Sequence, residues 1–373
     1  MKRIKISPVD AVFANSSYPI EFLIYYKEKI QWGKIPDALE KLSELFWPVF
    51  GEFKNGYISF ESYDEPDFFG VEKIDHDFAP AVEDDRFLKQ HHSYIPINSP
   101  KLFYLKMLEY NNGTVLVVKL NHLAGDGYSY FYFLSALAMI SKKPGLYGTD
   151  LFVRMFNPLH DRSIIKNFHL SETIPSHQTD EDELTLQFEK VAKADVKNLI
   201  KEISEKHGKV VSTNDILSAM VIKKLTSISS TKLGKTFHLT IPVDVRRKVT
   251  EYGQHYFGNG LLFNKIEFNV EHLANSDIDT IALQIRNGMP GITNESYIAY
   301  LKGLADIVKE KRFAELRPYD DESNCLITNL SAMPSNKLDF GTGNPDLIIP
   351  LTIGRNSTAI MADDVNYILR IAY

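Results

Sequence analysis

Apolar residues in this chain recur at two spacings, and the changes between them mark out its elements. In IPDALEKLSELF, residues 35–46, Leu39, Leu42, Leu45 and Phe46 fall at a helical period before Pro48 and Gly51 close it. GYISFESY, from residue 56, alternates as a strand does. KLFYLKMLEYNNGTVLVVKLNH, residues 101–122, predicts two strands joined by a turn at Asn111-Asn112-Gly113. The second carries Val115, Val117 and Lys119 on one face and Leu116, Val118 and Leu120 on the other, which is too apolar for an edge and predicts a central position. After Gly127, Tyr130, Phe133, Leu134, Leu137 and Ala138 recur at i, i+3, i+4, i+7 and i+8, the stripe of a helix packed on a sheet. His122 therefore ends a buried strand and Asp126 opens a helix.

Between residues 143 and 183 the periodicity lapses into a mixture of Pro, Gly, Ser and charge, and a stretch that long predicts an interdomain crossover or a functional loop. Beyond it, LTLQFEKVAKADVKNLIKEISEKHG reads as a strand and then a helix. STNDILSAMVIKKL is a second helix with Ser212 or Thr213 as its N-cap. KTFHLTIPVDVRRKV and LLFNKIEFNV read as strands, and no repeat period appears.

Length and composition narrow the classes. At 373 residues the chain exceeds an average domain, which predicts two domains or one large α/β unit. A net charge of -6 without a Lys/Arg cluster argues against a nucleic-acid partner. The single cysteine, Cys325, excludes an intrachain disulfide, and with neither CxxC nor HExxH the expected chemistry is metal-free. His91-His92, in KQHHSYIPINSP, lack spaced partner ligands and read as loop histidines. No run approaches the roughly 18 apolar residues of a membrane span, and the basic start has no signal-peptide core, so a cytoplasmic protein is expected.

The chemistry-bearing stretch is HLAGDG, residues 122–127. Imidazole titrates near neutrality, so a histidine at a strand end facing a cleft is suited to take a proton from an incoming hydroxyl or amine. The other reading makes His122 a satisfied core histidine and Asp126 a helix N-cap. No G-x-S-x-G elbow supplies an activated nucleophile, so direct attack on a bound acyl donor fits better than a covalent acyl-enzyme.

HLAGDG resembles the His-x-x-x-Asp-Gly marker of the BAHD acyltransferases, a branch of the CoA-dependent acyltransferase and condensation-domain superfamily. DFGTG, residues 339–343, is similar to that family's second marker, with Thr342 where the family has Trp. ISPVD at 6–10, WPVFGEF at 47–53, STNDILSA at 212–219, VDVRRK at 243–248, YFGNG at 256–260 and TNLSAMP at 328–334 match in order along nearly the whole chain. Leu330 also stands where plant members often carry a Trp, so plant acceptor specificities do not transfer.

The resemblance implies an α/β fold of two similar-sized domains, each a mixed β-sheet with flanking helices, with the active site in a channel between them. Residues 1–145 would form the N-terminal domain, 146–183 the crossover loop and 184–373 the C-terminal domain. His122 and Asp126 form the catalytic motif. His122 is the implied general base, while Asp126 turns from the cleft to pair with Arg246 and Gly127 lets the turn bend tightly. Thr328, with Asn329 as a second donor, is the implied stabiliser of the transition state; DFGTG is implied to be structural. The implied activity is transfer of an acyl group from acyl-CoA, a co-substrate, to a hydroxyl or amine of a small acceptor, with no other cofactor, by a monomer. Two rivals remain: a condensation-type domain using a carrier-bound acyl group, and a catalytically idle BAHD-like binding protein.

Overall fold

The strand Gly113–Leu120 is the centre of the first half. In this computed structural model, which describes residues 1–373 apart from 16–18, 97–98, 172, 176–184, 229–234, 319–323 and 352–353, it lies between strands Ile20–Tyr26 and Phe103–Tyr110. Its faces part as their side chains dictate. Leu116, Val118 and Leu120 enter the larger core, while Val115 and Val117 join a smaller one with Leu23, Tyr25 and Phe78. The turn at Asn111-Asn112 needs Gly113, because a Cβ there would stand 2.2 Å from the Tyr26 carbonyl oxygen.

Phe69–Lys73 completes one edge of this five-stranded sheet, and at the other edge strand Leu347–Pro350, from far along the chain, runs antiparallel to Ile20–Tyr26. The helix Gly127–Lys142 covers one face, placing Tyr130, Phe133, Leu134, Leu137 and Ala138 in the larger core beside helix Ile35–Leu45. A small sheet of Lys2–Lys5, Tyr57–Phe60 and Glu52–Lys54 stands apart.

The second half is built on a six-stranded mixed sheet whose order is Leu261–Asn269, Thr236–Asp244, Asn324–Asn329, Ser357–Ala362, Asn366–Ala372 and Leu186–Ala192. Helices Lys193–His207, Thr213–Ile228 and Ile278–Gly288 pack a separate core against one face. Ser212 precedes the second of these; its hydroxyl accepts from the Asp215 N–H at 3.4 Å and donates to the Asp215 carboxylate at 2.9 Å. Helix Asn294–Lys309 instead sends Tyr297, Leu301, Leu304 and Val308 into the larger core of the first half. The architecture is thus α/β, with two sheet-and-helix units tied together by elements that cross between them.

Two local expectations change. The aperiodic stretch holds a short helix, Asp150–Met155, capped by Thr149. It gave no amphipathic signal because its Leu151 and Val153 face solvent. His91 and His92 end a helix, Asp85–His92, rather than sitting in a loop. His91 is buried against Tyr110, and His92 bonds Glu21 at 2.5 Å. Among the described residues no helix is long and apolar enough to cross a membrane.

Candidate active site

A cavity of about 1150 Å³ opens between the two units, with His122 on its wall from one side and Thr328 from the other. The apolar strand ahead of His122 delivers it there, and a chain of buried polar groups fixes it. His122 Nδ1 is 2.9 Å from Asn259 Oδ1, while Asn259 Nδ2 is 2.7 Å from both Asp10 Oδ1 and the His122 carbonyl oxygen. Those last two atoms only accept, so the amide nitrogen must face them and its oxygen must face the ring. His122 Nδ1 therefore carries the proton. The lone pair is left on Nε2, which has no partner among the described residues, and His122 lines the cavity.

Arg162, also fully buried, closes the chain by pairing with Asp10 at 3.0 Å and donating to the Leu123 and Ala124 carbonyls at 2.8 and 2.7 Å. Phe13 stacks on the imidazole with ring centres 3.7 Å apart. Burial pushes His122 below its ordinary pKa, against the opposing pull of Asp126 and of the Asn259 hydrogen bond. That burial favours the neutral form of the ring.

Asp126 performs two jobs that the sequence left as alternatives. As N-cap of helix Gly127–Lys142 its Oδ1 accepts from the Ser129 N–H at 3.0 Å. The same carboxylate takes both prongs of Arg246, Nη1 to Oδ2 and Nη2 to Oδ1, each at 2.9 Å, and the Gly260 N–H at 2.9 Å. Arg246 also donates to the Tyr256 and Gly258 carbonyls and to Ser129 Oγ, which leaves little of the guanidinium unmatched. Burial, the largest single influence, would raise the Asp126 pKa, but the Arg246 charge together with the hydrogen bonds from Arg246, Ser129 and Gly260 outweighs it and holds the carboxyl below the usual range. The pair bridges the two halves of the chain.

Gly127 differs from its expected role. It is not among the residues with positive φ, and a Cβ on it would meet only Met333 at 3.7 Å and Leu330 at 3.9 Å. The crowded position is Gly125, where a Cβ would stand 2.5 Å from that of Ser129. Thr328, on strand Asn324–Asn329, lines the cavity. Asn329 lines it too, but its amide is engaged, donating to Asn214 Oδ1 at 3.0 Å and accepting from Ser331 N–H and Oγ at 2.9 and 2.6 Å. DFGTG does not line the cavity; its Asp339 accepts from the Gly341 and Gly343 N–H groups and pairs with Lys142.

Asp10, Asn259 and Arg162 were not singled out by sequence. The first two lie within ISPVD and YFGNG, so the motifs pointed to them without assigning a task. Arg162 lies in the aperiodic stretch, where no pattern marks it.

No curated protein matches the chain by sequence. Among solved structures it is similar to F. sporotrichioides TRI101 complexed with coenzyme A and T-2, at 16% identity over 99% of this chain and 94% of that one, with a TM-score of 0.77. Vinorine synthase is similar at 17% identity, over 100% of this chain and 90% of that one, with a TM-score of 0.75. The first condensation domain of the calcium-dependent antibiotic synthetase is further off, at 12% identity, 100% and 91% coverage and a TM-score of 0.61. A family profile described as the Transferase family matches residues 72–366, which contain both the histidine turn and DFGTG. The chain belongs to that family, the BAHD acyltransferases.

Proposed function

We propose that this protein transfers an acyl group directly from acyl-CoA to a hydroxyl or amine of a small molecule, with His122 as general base. The observation that carries the reading is the imidazole itself: its Nδ1–H is held by Asn259, its Nε2 has no partner among the described residues, and the residue lines a cavity of about 1150 Å³. That volume exceeds the roughly 300–1,000 Å³ of ordinary small-molecule sites, which suits a cavity that holds two substrates. Support for the donor comes from the neighbouring TRI101 structures, which hold coenzyme A together with T-2 or deoxynivalenol.

In the proposed step, His122 Nε2 takes the acceptor's proton as its oxygen or nitrogen attacks the thioester carbonyl. The Thr328 hydroxyl donates to the oxyanion that forms. Collapse of the tetrahedral intermediate expels the coenzyme A thiolate, which recovers the proton from Nε2. No proton is left over, and no residue is acylated. Asp126 and Arg246 hold the turn and take no proton, and the amide engagement of Asn329 casts it as a support of the Thr328 strand rather than a second donor.

The test is a panel of acyl-CoA donors with free-thiol detection, then mass spectrometry of acceptors from a cell extract. His122→Ala should lose on the order of 10²–10⁴ in turnover. Retention of more than about a tenth of the wild-type rate would remove the base from its role. Activity with an acylated carrier protein and none with acyl-CoA would favour the condensation-type alternative.

A further inference from the structure

Most charged groups facing the cavity are matched within the protein. Glu21, with a fully buried side chain, meets His92 at 2.5 Å and lies 3.9 Å from Lys119 Nζ. Asp85 pairs with Lys89 at 2.7 Å, and Asp126 with Arg246. Arg370 is different. It is 1% exposed and lines the cavity, yet its Nη1 donates to the Pro350 carbonyl and its Nε has no partner among the described residues. No carboxylate lies within ion-pair distance of it among the described residues. Burial, only partly offset by the more distant Asp85, pulls its pKa down to about 10. A buried guanidinium without a counter-charge is costly, and its planar fork matches a carboxylate in two-pronged fashion.

Strand register says where this cation stands. Ala359 pairs with Thr328 on one side and with Arg370 on the other, and all three line the cavity. Cross-strand partners share a face of the sheet, so the backbone of Arg370 lies two strand spacings, about 10 Å, from that of Thr328. Only the methyl group of Ala359 stands in the row between them. The diphosphate of coenzyme A lies at the far end of an extended pantetheine arm, well beyond that span from the thioester.

We propose that Arg370 is a subsite for a carboxylate on one of the two substrates, carried at about that separation from the carbonyl under attack. The inference rests on the acyltransferase reading of the cavity and adds a substrate class to it. The carboxylate comes either from a dicarboxylic acyl group or from an acidic acceptor.

Calorimetric titration separates the two sources. In the donor arm, succinyl-CoA is compared with butyryl-CoA. In the acceptor arm, 4-aminobutyrate and 3-(4-hydroxyphenyl)propionate are each compared with their primary amides on protein saturated with coenzyme A. The expected result is a preference of about 10- to 100-fold for the acid in one arm, lost in Arg370→Gln and partly retained in Arg370→Lys. Donor preference assigns the acyl carboxylate, and acceptor preference assigns the other. Equal affinity of acid and neutral partner for the wild-type protein in both arms overturns the proposal, and that comparison needs no variant to fold. An equal loss of affinity for all ligands including free coenzyme A in folded Arg370→Gln, with no acid preference to lose, also overturns it. If no donor releases thiol, the acyltransferase reading fails, while the binding comparison still decides for or against the carboxylate subsite.

Discussion

Removing either member of the Asp126–Arg246 pair should destabilise the protein far more than loss of a helix cap. Asp126 accepts from both guanidinium prongs and from the N–H groups of Ser129 and Gly260. Asp126→Ala would leave the buried Arg246 with only the part-exposed Asp244, 3.0 Å from its Nη1, as counter-charge, and would strand two N–H donors. Arg246→Ala would strand the carboxylate but leave those two donors on it. Breaking a buried pair from one side costs about 3–5 kcal/mol, the range expected for each single variant, with Asp244 moderating the loss in Asp126→Ala. A cap alone would cost about 1 kcal/mol. The double variant removes both charges, so its loss should fall short of the summed single losses by on the order of 2–3 kcal/mol. Urea unfolding of the four proteins at pH 7, followed by tryptophan fluorescence and circular dichroism, measures the coupling. Single losses near 1 kcal/mol, or losses that add, would refute the argument that the pair holds the two halves together.

Asn259→Ala should keep most of the fold but leave the His122 Nδ1–H without its acceptor, lowering kcat by about 10- to 100-fold with little change in KM; an unchanged pH–rate profile and kcat would show that the ring needs no such hold. Thr328→Val, nearly isosteric, should lower kcat by on the order of 10²-fold while Thr328→Ser recovers most of it, and equal rates for Val and Ser would discard the oxyanion role. Stability should fall as pH drops from 6.5 toward 4, because burial lowers His160 from 6.5 to about 4 and only the unfolded chain takes the proton in that window. That single group contributes up to about 3 kcal/mol, so His160→Gln should flatten the slope of unfolding free energy against pH, and an unaltered slope would exclude it.

The turn was legible because two periods meet there: the unbroken apolar strand Gly113–Leu120 and the helical stripe after Gly127 leave His122 and Asp126 at their junction. The support around the turn was not. Asp10, Arg162 and Asn259 come from three distant segments, and a lone polar residue in an irregular stretch looks the same whether solvent or a neighbouring acid surrounds it. Arg370 shows the same limit in a strand. Asn366–Ala372 sends Leu369 and Ile371 into a core, so the alternate position reads as an outward, solvated one. Period-two alternation separates faces, but it does not tell water from a cavity wall.

Leu347–Pro350 completes a sheet whose other strands lie between residues 20 and 120. During synthesis the edge of Ile20–Tyr26 must therefore wait, unpaired, until more than two further domains' worth of an average small fold in sequence separation has left the ribosome. So long a loop makes closure of this sheet a late, non-local event, slower than formation of its hairpin Phe103–Leu120. The nascent first half carries an open strand edge next to an apolar face throughout that interval, an exposure that favours aggregation when that half is alone. The same late strand ends at Pro350, the residue whose carbonyl holds Arg370, so the cavity wall acquires its anchored arginine only when Leu347–Pro350 and Asn366–Ala372 have both docked.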